Sequence, residues 1–205
     1  MNKVQKIREL EVRLDAIYDK LTNVDFIDSK RLSGEIGFYI FDYPPEAEKR
    51  VQEEIKSIIS KLDKNKYSYH HIDLFDILVE MLKKEEILED AFEMQKKEGN
   101  EALKDALQGT LSQEYVASFI AEKLDFSKSE FVIITGVGSC WPLIRGHNIL
   151  NALHAPLSKI PVLMFYPGDY TGLDLHPFGV IESSNYYRAF EFIPHEKKNR
   201  KGRST

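Results

Sequence analysis

Apolar side chains in the first twenty-one residues recur at alternating spacings of three and four positions. This period leaves one apolar stripe between charged flanks and predicts an amphipathic helix over residues 3–21. The stripe is too short for a stable free coiled coil, so we expect it to pack on the protein's own core, with a partner helix as the alternative. Its members are Ile7, Leu10, Leu14, Ile17 and Leu21.

The rest of the chain alternates between strand-like and helix-like segments. Roughly five strands separated by helices predict a layered α/β domain over residues 1–194, with a mainly parallel sheet that is Rossmann-like or a degenerate P-loop-like sheet without Walker motifs. Aromatic, β-branched and continuously apolar runs mark strands, and the alternating last run is typical of an edge strand. The predicted strands are 35–42, 67–73, 131–135, 160–166 and 187–193.

Helical periodicity fills the intervals between these strands. Pro44 and Pro45 stand at the first turn of the helix after the first strand, where proline is tolerated. The longest helical stretch is broken near Gly109, and Ser112 is a candidate cap for its second half. The predicted helices cover 51–62, 74–82, 85–97 and 100–124.

Composition is that of an ordinary globular protein, with 42% hydrophobic and 30% charged residues among 205. No apolar run approaches the roughly 20 residues that span a bilayer, and the charged N-terminus lacks the apolar core of a signal peptide. We therefore expect a cytoplasmic protein without membrane contact. A single cysteine, Cys140, excludes an internal disulfide framework and a multi-cysteine zinc site.

The net charge of −5 is unevenly distributed. Residues 195–205 form a basic tail whose five Lys and Arg residues stand against Glu196, which gives the tail about +4 and leaves the rest near −9. An acidic body repels duplex phosphates, so we expect DNA contact to be at most indirect or confined to this tail. The ordinary interpretation of such a tail is a solvated chain end.

The loops beyond the carboxyl ends of the strands are where folds of this class bind ligands. Asp42 ends the first strand, but Pro44 and Pro45 remove two backbone donors that a phosphate needs, and the chain has no GxxxxGK[ST] motif. Gly136 and Gly138 follow a buried strand without a third glycine at Rossmann spacing. We expect these glycines to serve a sharp turn; nucleotide binding without hydrolysis at Asp42, Gly136 and Gly138 is the alternative.

Other groups with possible chemistry are scattered. Asp169, Asp174 and His176 fall on a predicted long loop where they could bind a divalent ion for a nuclease or hydrolase, although turn formation explains the same residues. Cys140 lies at a strand end where nucleophiles often occur, but a lone cysteine is more often a small buried apolar group. We expect no cofactor and assign no catalytic residue.

An aromatic and basic cluster suggests a protein interface instead. Tyr186 and Arg188, within "NYYR", have the composition of interface hot spots. Together with Arg145 they predict a partner surface at the carboxyl edge of the sheet.

Three strings, in this order, carry a resemblance: "EIGFYIFDYPPEAE", "FVIITGVGSCWPLIRGHNILNAL" and "PVLMFYPGDYTG … NYYRAFEF". They resemble the BrxB family of BREX bacteriophage-exclusion systems, over nearly the whole chain to about Ile193. The resemblance implies a phage-defence protein that works in an assembly with a DNA methyltransferase, an ATPase and PglZ, a protein similar to alkaline phosphatases. The family carries no agreed catalytic residues. The resemblance implies a non-catalytic scaffold or adaptor, with PglZ as the first partner to test.

Overall fold

The structure of the protein is a computed structural model that describes residues 3–27, 37–157, 160–172, 174–178 and 189–196. Short 3₁₀ turns at Pro45–Ala47 and Phe126–Lys128 precede the helix that begins at Glu48 and the strand that begins at Phe131. The helices are α1 (Lys3–Leu21), α2 (Val24–Ile27), α3 (Glu48–Lys64), α4 (Leu74–Lys84), α5 (Leu88–Leu107), α6 (Gln113–Lys123), α7 (Val137–Cys140) and α8 (Gly146–Leu153). The strands are β1 (Phe38–Tyr43), β2 (Tyr69–Asp73), β3 (Phe131–Thr135), β4 (Val162–Tyr170), β5 (Leu175–Pro177) and β6 (Phe190–Glu191).

The sheet is parallel along its main path, in the order β2-β3-β4-β1-β6. Strand β1 pairs with β4 over its full length, from Phe38 opposite Val162 to Tyr43 opposite Pro167. The expected α/β class and mainly parallel sheet are confirmed, and β6 lies at an edge as its alternating pattern indicates.

One connection departs from the sequence expectation. Asp169, Asp174 and His176 were expected on a long loop, and this is wrong, because β4 continues to Tyr170 and pairs antiparallel with β5. This hairpin could not be predicted from the sequence, because Pro167 and Gly168 interrupt the apolar run that marks β4. Gly168 is nevertheless required, since a Cβ there would lie 2.2 Å from the carbonyl oxygen of His176.

Helices cover both faces of the sheet and create two apolar cores. Helices α1 and α3 pack on the face that carries Phe41, Phe131 and Phe165. Helices α4, α6, α7 and α8 pack on the opposite face, with Ile134 and Met164. The result is a three-layer arrangement whose central strands β3 and β4 are buried on both sides, as their continuous apolar runs predict.

Helix α1 packs on the protein's own core, as expected. Leu14, Ile17 and Leu21 are at most 1% exposed. Ile7, the first member of the predicted stripe, is 52% exposed, because it lies one turn before Leu10, where the core contacts begin.

Helix ends follow local sequence signals in part. Asp73 caps α4 by accepting hydrogen bonds from the backbone N–H groups of Phe75 and Asp76. Gly99 has a φ of 87° and interrupts α5 between the two helices predicted there. Ser112 occupies the N-cap position of α6, as expected, but its side chain makes no capping hydrogen bond.

Candidate functional site

The carboxyl ends of β1 to β4 meet at one edge of the sheet, and polar or glycine residues occupy it. This is the edge at which ligands bind in open α/β sheets. Asp42 lies near the end of β1, Asp73 ends β2, Thr135 ends β3, and Gly136 follows directly. Whether these groups could bind a ligand depends on the hydrogen bonds that they already make within the protein.

Asp42 is buried, with 3% of its surface exposed, and both carboxylate oxygens are bonded. Its Oδ1 accepts a hydrogen bond of 2.7 Å from Arg13, and its Oδ2 accepts one of 3.1 Å from the backbone N–H of Tyr170. The Nε2 of His195 lies 3.0 Å from both oxygens. A carboxylate that would otherwise be costly to bury is thus neutralised by its neighbours.

Arg13 is the principal partner of Asp42 and is itself only 4% exposed. Its guanidinium also donates to the backbone carbonyl of Asp42 at 2.9 Å and to that of Ile193 at 3.0 Å, and it lies over the Phe41 ring. The sequence pattern places Arg13 among the charged flanks of the α1 stripe, which we expect to be exposed, and for this residue that expectation is wrong. Its spacing of three from Leu10 and four from Ile17, at the margin of the apolar stripe, was the available signal.

His195 connects Asp42 to α1. One ring nitrogen faces Asp42 and the other, Nδ1, lies 3.0 Å from a carboxylate oxygen of Glu9. Both nitrogens face acceptors, which favours the doubly protonated, charged ring. Glu9, Arg13, Asp42 and His195 are called the Asp42 cluster below. It takes in the first residue of the predicted basic tail; residues 197–205 lie outside the described chain.

The charges in the Asp42 cluster shift each other's titration. Burial by itself would raise the pKa of Asp42, but the hydrogen bond from His195 and the charge of Arg13 outweigh burial, and the pKa is lowered. The hydrogen bond to Asp42 outweighs partial burial of the ring and raises the pKa of His195. Each group therefore favours the ionised form of the other.

A second hydrogen-bonded chain links β2 and β3. The hydroxyl of Thr135 donates to Oδ2 of Asp73 at 3.0 Å, and Nε2 of His71 lies 2.9 Å from the same hydroxyl oxygen. Because Thr135 uses its proton toward Asp73, His71 must donate to it from Nε2. Burial, opposed by the charges of Asp73 and Asp76, lowers the pKa of His71 and favours its neutral form.

The two glycines after β3 serve close packing and a turn. Gly136 has a φ of 75°, and a Cβ there would lie 2.3 Å from Oδ1 of Asp73, the oxygen that caps α4. A Cβ on Gly138 would lie 2.7 Å from the Pro167 ring. Gly136 gives the sharp turn out of the buried strand that we expect, whereas Gly138 lies inside α7 and meets a packing need instead.

Cys140 ends the short helix α7 and is buried. Burial, helped by the charge of Asp73, raises the pKa of its thiol to about 12. At neutral pH the group is a thiol, which is a poor nucleophile. The interpretation of Cys140 as a small buried apolar residue is the one that this position supports.

Beside α7 lies an apolar cleft closed on its far side by the β4–β5 hairpin. Its interior volume of about 10 Å³ admits roughly one water molecule or one methyl group. The rings of Trp141 and Phe178 meet edge to face across it, with centroids 5.6 Å apart. We call it the Trp141 cleft; its lining residues are Val137, Gly138, Trp141, Ile144, Gly146, Tyr166, Pro167, Pro177 and Phe178.

Phe178 holds a strained backbone at the cleft. Its φ of 55° is in the left-handed region, which costs a residue other than glycine about 1 kcal/mol or more. The backbone N–H of Phe178 donates to the carbonyl of Pro167 at 3.1 Å, which helps to hold this conformation and keeps the ring against Trp141.

The remaining sequence candidates do not converge in the described residues. Asp169 and His176 are cross-strand partners in the β4–β5 hairpin, and the backbone N–H of Asp174 binds the Thr171 hydroxyl in the turn. Within the described ranges, no three His, Cys, Asp or Glu side chains group as metal ligands would. Arg145 is exposed at the start of α8. Tyr186 and Arg188, the other predicted interface residues, lie outside the described chain.

The sequence of this chain is similar to the sequences of a known protein family. Residues 70–192, from β2 to just beyond β6, match the model of a family described as BREX protein BrxB. The chain belongs to the BrxB family. A BREX protein BrxB of Escherichia coli O9:H4 (strain HS) is 40% identical over 185 residues, which cover 90% of this chain and 92% of the relative. A BREX protein BrxB of Bacillus cereus (strain H3081.97) is 39% identical over 193 residues, 91% of this chain and 99% of the relative.

Membership of the BrxB family confirms the resemblance seen in the sequence and makes the protein a component of a BREX phage-defence system. No solved structure matches this BrxB chain. Among the described residues, none of its helices combines the length and apolar character that crossing a bilayer requires.

Proposed function

We propose that this BrxB-family protein is a non-catalytic scaffold or adaptor within its BREX assembly, acting through protein–protein contacts, with PglZ as its partner. The observation that carries the proposal is the engagement of the carboxyl edge by the protein's own groups. Asp42 is neutralised by Arg13 and His195, and Asp73 is used to cap α4 and to bind Thr135.

A nucleotide or metal site needs groups with unused bonding capacity. In the described residues every buried side-chain nitrogen or oxygen has a hydrogen-bond partner. A Cβ at Gly136 would strike Asp73, so this glycine meets a packing need without any bound phosphate. These facts favour the scaffold over the nucleotide-sensing and metal-dependent alternatives. Among the described residues, no buried side-chain nitrogen or oxygen is left without a hydrogen-bond partner to bind such a ligand.

The direct test is recovery of the assembly. Affinity-tagged protein, produced from the complete defence operon, should retain PglZ in stoichiometric amount through washing and size-exclusion chromatography. Tagged protein alone with purified PglZ should form the same complex. If PglZ is absent from both while another component of the operon is retained, the partner assignment is wrong.

Two measurements separate the alternatives. Purified protein with magnesium should turn over no ATP above buffer and show no saturable ATP binding by calorimetry; tight binding without turnover would favour the nucleotide-sensing alternative. The thermal midpoint should not respond to magnesium, manganese or chelator. A metal-dependent rise in the parent protein that is absent in Asp174→Asn would favour the metal-dependent alternative, because a ligand selective for the folded state stabilises it.

A further inference from the structure

We propose that the Trp141 cleft is the docking point for the partner. Its occupant is an extended segment that inserts the tip of one aliphatic side chain beside Trp141 and places a carboxylate on Arg145. The inference rests on the proposed scaffold function and specifies where, and with what chemistry, the scaffold holds its partner.

The walls of the cleft fit an apolar side chain. Its lining is entirely apolar in side-chain chemistry apart from the hydroxyl of Tyr166 and the indole N–H of Trp141. Trp141 keeps 42% of its surface exposed although its ring packs against Phe178. A half-exposed tryptophan above a small apolar cleft has the composition and shape of an interface hot spot. The small interior admits the tip of a side chain and not a ring.

The backbone around the cleft is closely packed. A Cβ on Gly146 would lie 3.0 Å from the Tyr166 ring, and a Cβ on Gly138 would lie 2.7 Å from the Pro167 ring, so both walls of the cleft depend on glycine. Phe178 accepts a left-handed φ at the opposite wall. Two close backbone contacts and one strained residue thus lie around the cleft, and backbone strain such as that of Phe178 is concentrated at functional sites.

Arg145 supplies the charge that selects the partner. It stands between Ile144 and Gly146, both of which line the cleft, and its side chain is exposed. Among the described residues its guanidinium has no ion pair, whereas Arg13 and Arg50 are each paired with carboxylates. An exposed guanidinium beside an apolar cleft fits a segment that carries a carboxylate next to its apolar anchor.

The same charge argues against a second copy of this chain as the occupant. A two-fold dimer through the cleft would bring two Arg145 guanidinium groups into one interface. The chain also carries a net charge of −5, so two copies repel each other. A distinct partner whose segment carries a carboxylate would place the opposite charge on Arg145.

Trp141 is the only tryptophan in the sequence, which allows a direct experiment. Protein labelled with 5-fluorotryptophan gives a single fluorine resonance, from the cleft itself. We expect unlabelled PglZ to shift or broaden this resonance saturably. Arg145→Glu should weaken binding tenfold or more while the fold persists, since an acidic residue at a helix start is favourable. Trp141→Ala, read by co-purification, should cause a loss of the same order.

Matched controls change similar groups elsewhere. Phe92→Ala removes an exposed aromatic from α5, and Lys56→Glu reverses an exposed charge on α3; both should bind as the parent does. If PglZ binds the parent but Arg145→Glu and Trp141→Ala bind equally well, the cleft assignment is overturned and the scaffold function stands. If nothing binds the parent, the proposed function itself fails. A fluorine shift that depends only on the protein's own concentration would show a second copy in the cleft and overturn the assignment.

Discussion

Among single residues, Asp42 and Arg13 depend on each other most strongly. Each is almost closed to water, and each would be a costly charge without the other. The pair also shows the limit of sequence reasoning at this scale. Asp42 was recognised as the end of a strand, but its burial follows from Arg13, Tyr170 and His195, which are 29, 128 and 153 positions away. No local pattern contains that information.

Asp42→Asn should lower the free energy of unfolding by about 3–5 kcal/mol, because it leaves the charge of Arg13 buried without its counter-ion. Urea denaturation near pH 6 measures this loss. Glu93→Gln, which removes an exposed carboxylate near Lys96 and Lys97, should change stability by less than about 0.5 kcal/mol. A loss below about 1 kcal/mol for Asp42→Asn would contradict this prediction, because it would mean that Arg13 does not need the charge of Asp42 as its counter-ion.

The glycines offer a graded series. Gly136→Ala should cost more than about 2 kcal/mol, since it combines a positive φ with a clash against the capping oxygen of Asp73. Gly99→Ala, at a φ of 87° in open space, should cost about 1 kcal/mol. Gly109→Ala, with neither constraint, should be neutral or slightly stabilising. Equal thermal midpoints for Gly136→Ala and Gly109→Ala would contradict the packing role of Gly136.

Among elements, helix α1 is held by its apolar stripe and by Arg13 together. The stripe packs against α3 and the face of the sheet that carries Phe41 and Phe165. Periodicity alone predicted the helix and its intramolecular packing, because three to four buried leucine-type residues per two turns are a strong signal.

Leu14→Asp should lower the free energy of unfolding by more than about 4 kcal/mol, because it removes a buried side chain and introduces a charge without a partner. Ile7→Asp is the matched control on the same helix. Ile7 is half exposed and lies near the helix start, so its replacement should stay within about 0.5 kcal/mol. Chemical denaturation of both variants decides the point; similar losses would mean that α1 docks differently.

Strand β5 and the Trp141 cleft, which the sequence did not predict, both depend on contacts that form only in the folded protein. Strands β3 and β4 were predicted because a parallel sheet covered on both faces needs continuous apolar runs, and β1 was predicted from its aromatic and β-branched residues. Strand β5 has only three residues, two of them polar or proline, and exists because β4 supplies its hydrogen-bond partners. The Trp141 cleft could not be predicted either, since Trp141, Tyr166 and Phe178 meet only through the fold.

At the scale of the whole molecule, the Asp42 cluster sets a pH window for stability. Asp42 has a lowered pKa in the folded protein, so its contribution is present above the unfolded value of about 3.9 and is lost as the pH falls through the folded value. His195 has a raised pKa, so its contribution is present below about 6.5 and is lost as the pH rises through the folded value.

The thermal midpoint should therefore be highest between about pH 4 and 6.5 as far as this cluster is concerned. His195→Gln should flatten the upper limb of the profile, by less than about 1 kcal/mol because the ring is partly exposed. Calorimetric scans of parent and variant from pH 4 to 9 measure the difference. An unchanged slope above pH 6.5 in the variant would show that His195 does not carry that dependence.

The bond from Arg13 to the carbonyl of Ile193 joins residues 180 positions apart. During synthesis at roughly 5–20 residues per second, Arg13 is synthesised roughly 10–40 s before its last acceptor exists. Throughout that interval the set of acceptors around Arg13 is incomplete, although Asp42 follows only 29 positions after it. The native contacts of the N-terminal helix, which is made first, can be completed only after the last strand of the sheet has been made.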